Sequence, residues 1–181
     1  MESKKMMKKF TPEQLQEMDR KADLAVNAMM VAAVGLGVVP ILLDMVAVSA
    51  AMGAGVIAIA NCYDLQLTKD DAADLIKQFF KAAGTSYSIM FMGVKITNSL
   101  LKSNPVTYVP FLIADGVVCG AAAFAVGMTA KNFFHRRAQG KKATKEEMKQ
   151  WMKEGQKMGK ELARKPAEEH AEKKLAAEKG A

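Results

Sequence analysis

Residues 24 to 62 read LAVNAMMVAAVGLGVVPILLDMVAVSAAMGAGVIAIANC, an apolar run of Ala, Val, Met, Gly, Leu and Ile that carries a single charge, Asp44. The run is too long for one ordinary buried helix. Val39-Pro40 divides it, because proline lacks a backbone donor and clashes with the preceding turn. It therefore predicts two helices meeting at a tight bend. The second, Ile41 to Ala60, would cover ~30 Å at ~1.5 Å per residue, the hydrocarbon thickness of a bilayer. Along it Ala47, Ala51 and Gly55 recur at every fourth position, a row that lets another helix backbone approach closely.

Upstream, Thr11-Pro12-Glu13-Gln14 is a helix start, with Thr11 as cap, Pro12 at the first helical position and Gln14 closing a capping box. That helix runs through polar residues into Leu24 to Leu36, where Gly35 and Gly37 weaken it. Downstream, Thr68-Lys69-Asp70-Asp71 caps an amphipathic helix ending at Gly84. Asp70, Asp71 and Asp74 read as its charged first turns and not as a metal cluster, since no His or Cys accompanies them.

Thr85 to Leu101 predicts a further apolar helix containing Lys95, broken at Lys102 to Pro105. Val109-Pro110 is then expected to open a last apolar helix, Phe111 to about Phe134. In it Gly116 and Gly120 form a GxxxG pair, with Gly127 on a nearby face. Lys131, His135, Arg136 and Arg137 close this helix with positive charge, which suits a helix C-terminus and a cytoplasmic membrane boundary. Val39-Pro40 with Asp44 and Val109-Pro110 with Asp115 echo one another, as two copies of one hairpin would.

Thr144-Lys145-Glu146-Glu147 is another capping box. The helix it opens places Met148, Trp151, Met152, Gly155, Met158 and Leu162 on one stripe, with Lys145, Lys149, Lys153, Lys157 and Lys160 over the remainder. Three readings suit this stripe: an anionic membrane surface, a partner helix, or the chain's own core. Pro166 is expected to end the helix and leave a charged flexible tail, 166–181. The expected organisation is a polar helix start over 1–23, an apolar helical core over 24–137 inserted in a membrane, and a basic amphipathic helix over 138–165.

Half of the 181 residues are hydrophobic but only 7% are aromatic, so the interior is built from small and aliphatic side chains. Strand patterns are nearly absent, and the fold class is all-α: two Pro-bent apolar hairpins joined by an amphipathic helix, plus the basic C-terminal helix. The net charge of +7 is concentrated after residue 130, with fifteen basic and eight acidic groups there. A basic tail on an apolar core without a groove-reading module points to anionic lipid and not to nucleic acid. Cys62 and Cys119 lie in or beside apolar stretches and read as reduced buried thiols. No secretory signal is expected in the lysine-rich start.

No phosphate loop, dinucleotide fingerprint, nucleophile elbow, HExxH or CxxC occurs, and His135 and His170 read as solvated. No cofactor, metal or catalytic residue is assigned, and the chain is not expected to be an enzyme. Asp44, Lys95 and Asp115 stand out as ionisable groups within apolar segments, where such groups face a bundle interior or a polar path. For the two aspartates, a place in the first turn after Pro40 and Pro110, satisfying free backbone donors, is the simpler expectation.

The Ala/Gly-rich helix into Val39-Pro40-Ile41, Asp44, the Asn61-Cys62-Tyr63-Asp64-Leu65-Gln66-Leu67-Thr68 bridge and the closing Gly127-Met128-Thr129-Ala130-Lys131-Asn132-Phe133-Phe134 together resemble the YcjF-like membrane domain of unknown function. That domain is also found C-terminal to Era-like GTPase domains in bacteria. The resemblance spans about residues 24 to 164 and implies a bacterial inner-membrane location and a GTPase partner; cytoplasmic termini are expected from the lysine-rich flanks of the apolar segments. This chain has no GTPase domain of its own, so nucleotide binding does not carry over. The expected function is a non-catalytic membrane protein that self-associates through the small-residue rows and organises membrane or recruits a partner. A soluble helical-bundle adaptor is the alternative, and a small ion- or proton-conducting oligomer using Asp44, Lys95 and Asp115 is a third reading.

Overall fold

A computed structural model describes residues 10–38, 44–84 and 105–179, and all the regular structure among them is helical. The bend at Pro40 and the segment containing Lys95 lie outside the described residues. The helices are α1 (Pro12–Gly37), α2 (Asp44–Cys62), α3 (Lys69–Ala83), α4 (Pro105–Ala138), α5 (Lys145–Leu162) and α6 (Arg164–Lys179).

Three of these begin at the expected threonine. Thr11, Thr68 and Thr144 each accept from the backbone N–H of the third helical residue, while Gln14, Asp71 and Glu147 reach back to the cap's own N–H. Two otherwise orphaned donors are thus satisfied at each start. Gly84, at φ +74°, closes α3 in the left-handed region, where a side chain would be strained. The hydrogen bonds from Thr68 hold the Asp71 carboxyl below its ordinary range.

Two helix limits differ from the sequence reading. α4 does not open at Pro110; it begins at Pro105 and runs 34 residues straight through Pro110. Proline is best placed at the first helical position, where its missing donor is not needed, and Pro110 removes only one ladder bond farther in. Pro166 likewise starts no tail: α5 stops at Leu162, and α6 resumes at Arg164 with Pro166 as its third residue. Pro166 has no N–H to give to Leu162, which breaks the helix one turn earlier, while a first turn tolerates it.

α1 and α4 are the axis of the bundle, packed antiparallel. Contacts that advance along α1, from Val26 to Val34 to Val38, step back along α4, from Gly127 to Gly120 to Gly116. A Cβ on Gly127 would lie 3.1 Å from Val26 Cγ1, one on Gly120 2.4 Å from Val34 Cγ2, and one on Gly116 2.9 Å from Val38 Cγ2. α2 packs on both, with Gly55 against Met29. α3 lies on α2 and α5, and its Phe79 meets Phe133 of α4 edge to face at 5.8 Å. α5 and α6 return along α4 on the side away from α2, so that Lys174 donates to the carbonyl of Val38 at the C-terminal end of α1.

Candidate functional site

A polar cluster closes the end of the bundle where α1 begins, α2 ends and α4 ends. The Tyr63 hydroxyl donates to Asp19 Oδ1 at 2.5 Å, and His135 Nδ1 meets the same oxygen at 2.9 Å. Gln139 Nε2 lies 2.7 Å from His135 Nε2. The neutral imidazole with its proton on Nδ1 satisfies both contacts, donating to Asp19 and accepting from Gln139. One turn along, Lys131 Nζ pairs with Asp23 at 2.6 Å. His135 is therefore not a solvated surface residue: its partner comes from a helix more than a hundred positions away. Phe134 packs between Tyr63, at 6.3 Å between ring centroids, and Phe133, at 5.5 Å.

Tyr63 is 1% exposed, and burial first, then the hydrogen bond to Asp19 and the nearby carboxylate charges, push its ionisation far above the ordinary value near 10. A raised folded value means that its contribution is fully present below pH ~10 and is lost as pH rises beyond that. In a 295-nm titration Tyr63 should ionise only as the protein unfolds. Tyr63→Phe should remove that late step; a late step of unchanged size would show that Tyr63 is not the protected tyrosine.

The small residues of the sequence rows take up positions inside the chain. Gly116 faces Val34, Val38 and Ala167; Gly120 faces Val34 and Ala163; Gly127 faces Val26 and Met29. In α2, Gly55 meets Met29 and Ala47 and Ala51 are half-buried, whereas Ala50, Ala54 and Ala58 point outward. Asp115 is buried, at 3% exposure, and its backbone carbonyl faces Gly37, 2.9 Å from where a Cβ on that glycine would lie. Asp44 opens α2 with its side chain outside the described atoms, and Lys95 lies outside them altogether. Of the three ion-path residues, Asp115 is thus the one whose side chain is described. No group of three or more His, Cys, Asp or Glu suited to a metal occurs among the described residues.

The α5 stripe divides between two surroundings. Met152, Gly155 and Gly159 are buried against α4, Met148 packs on the core, and Trp151 is half-buried. Met158 and Leu162 are exposed, as are Lys145, Lys149, Lys153, Lys157 and Lys160. The buried seam continues past the helix break as Ala163, Ala167 and Ala171. Sequence reading missed this seam, although its signal was present: a small residue at every fourth position from 155 to 171. His170 also belongs here, its Nδ1–H donating to the Pro166 carbonyl at 2.9 Å beside Gly35.

Two further surfaces carry apolar character. Leu24 and Val31 of α1 and Val46 of α2 are 63%, 40% and 71% exposed, on helix stretches without charge from residue 24 to 38 and from 45 to 62. Between α2 and α3 lies a groove of about 750 Å³, lined by Ala50, Gly53, Ala54, Ile57, Ala73 and Ile76, with Lys69 and Lys77 at its edge. Within α4, Val109–Ala138 is long and apolar enough to cross a membrane, and most of it is buried in the bundle. Beside its first half run Arg164, Lys165, Glu168, Glu169, Glu172 and Lys173 of α6. At the centre of a bilayer, such a charge costs ~2.5–3.5 kcal/mol on the insertion scale.

Neither the curated proteins nor the solved structures contain a match to this chain. The model of one family, described as a domain of unknown function, DUF697, matches residues 1–161, and the chain belongs to that family.

Proposed function

We propose that the chain is a non-catalytic helical protein that works at an anionic membrane. In this reading α1, α2 and α4 are directed to lipid, and the lysine-rich α5 meets headgroups. The observation that carries it is the pair of exposed uncharged helix faces on α1 and α2, since soluble surfaces seldom leave large apolar patches open. The long apolar α4 and the five exposed lysines of α5 support it. The likeness to the YcjF-like domain suggests the bacterial cytoplasmic membrane, with a GTPase as the recruited partner. Because Gly55, Gly116, Gly120 and Gly127 are occupied within the chain, we assign self-association to the outward row Ala50, Ala54 and Ala58.

Membrane fractionation with a carbonate wash tests the reading. The protein should stay in the membrane pellet. Release into the supernatant would instead support a soluble helical adaptor, the second reading, which the burial of α4 inside the bundle favours.

A further inference from the structure

α5 and α6 together form one arm that covers α4 over most of its length. Five small residues spaced by four make the seam. A Cβ on Gly155 would lie 2.7 Å from Ala125 Cα, and one on Gly159 2.8 Å from Ala121 Cα; one on Gly120 would lie 2.8 Å from Ala163 Cβ, and one on Gly116 3.2 Å from Ala167 Cβ. Ala171 then packs with Leu112 and Val38. The register runs down α4 as it runs up the arm, so the two are antiparallel and in close backbone contact.

The outer side of the arm is mostly charged, with Met158 and Leu162 exposed at the end of α5. In the docked position it sets the lysines, arginine and glutamates of α6 level with the apolar first half of α4, and Lys174 reaches the far end of α1. The arm as docked and α4 within a bilayer are therefore mutually exclusive, because charged side chains do not remain in hydrocarbon. The seam is also suited to opening. Along α6 the seam is Ala167 and Ala171, which offer little apolar area, in contrast with the Val26, Met29 and Val34 contacts that hold α1 to α4, whereas α5 adds Met148 and Met152 and its contact with α3. The joint is the exposed turn after α4, where Gly140 has φ +75°. Across it, Arg136 pairs with Glu147.

We propose that the α5–α6 arm is a detachable sheath: docked, it shields α4 from water, and it peels away to lie on an anionic membrane surface when α4 enters the bilayer. This rests on the membrane reading given above. On release, the arm brings its apolar residues Met148, Trp151, Met152, Met158 and Leu162 and its lysines to one interface, as an in-plane amphipathic helix requires. Release uncovers only the side of Gly116 and Gly120 that faced Ala167 and Ala163, while their contacts with Val34 and Val38 of α1 remain.

A disulfide lock tests the sheath in the full-length chain. In a Cys62→Ala, Cys119→Ala background, Gly116→Cys with Ala167→Cys places two sulfur-bearing carbons 3.2 Å apart, so α6 and Val38 must give by a few tenths of an ångström to reach the ~3.5–4.5 Å spacing of a disulfide. Insertion is read as carbonate-resistant flotation with vesicles of equal parts phosphatidylglycerol and phosphatidylethanolamine. The oxidised form should insert at least about tenfold less than the reduced form, and reductant should restore insertion. Equal insertion of both forms would overturn the sheath. Gly159→Leu, which props α5 off the Ala121 backbone, should act in the opposite direction and raise insertion above wild type; an unchanged or lowered value would overturn it independently. Wild-type protein that does not float with the vesicles would reject the membrane reading itself, an outcome distinct from either failure of the arm.

Discussion

Replacing Gly120 with leucine is expected to lower the thermal midpoint by roughly 6–12 °C, corresponding to about 3 kcal/mol for a chain of this size. The residue stands where α1, α4 and the joint between α5 and α6 meet, and even a single added Cβ would lie 2.4 Å from Val34 Cγ2 and 2.8 Å from Ala163 Cβ. Valine is stiff at χ1 and cannot swing aside. Relief therefore requires moving a helix, which also strips contacts from neighbours that are fully buried, Val34 and Ala163 among them. Gly53→Ala is the matched control. Nothing lies within 4 Å of a Cβ there, so alanine should stabilise α2 by about 0.5–1 kcal/mol through helix propensity. Circular dichroism melting at 222 nm measures both. A Gly120→Leu midpoint equal to wild type would mean that these elements do not converge at this point.

The contrast between these two glycines shows which part of the architecture can be read from the chain alone. Thr11, Thr68 and Thr144 declare their helices because a capping box is a local arrangement of four residues, and each forms where the sequence places it. Gly116, Gly120 and Gly127 announce close helix contact, but a small-residue row does not name its partner. Here the partners are α1 and the returning arm. The cluster of Asp19, Tyr63 and His135 was invisible for the same reason: its members are 44 and 116 residues apart, and only the packing of α1, α2 and α4 on one another brings them together. Proline misled in both directions. Pro110 marked a start five residues late, and Pro166 suggested an end where a helix resumes. In each case the decisive fact is how many ladder bonds the missing donor removes at that position, which depends on where the helix begins.

Phe134→Ala is expected to cost about 3–5 kcal/mol, because a fully buried aromatic side chain leaves a cavity that the surroundings cannot close. The ring is wholly shielded from solvent and sits between Tyr63 and Phe133, while Phe133 in turn reaches Phe79 of α3. Its loss should therefore loosen three elements at once: the end of α4, the turn after α2, and α3. Phe133 is only partly buried, so Phe133→Ala should cost clearly less despite the identical change in side chain. Urea unfolding of both variants gives the order directly, and a Phe133→Ala loss as large as that of Phe134→Ala would reverse the assignment of the core ring. The Phe134 variant carries a second readout. Tyr63 is held neutral by burial and by its hydrogen bond to Asp19, and Phe134 is one wall of that burial. In the variant, water gains access to the tyrosine hydroxyl, so the 295-nm titration should shift to lower pH and begin before the helical signal is lost. Phe133→Ala should leave that titration close to wild type, since its ring touches Phe134 and Phe79 and makes no ring contact with Tyr63 among those observed.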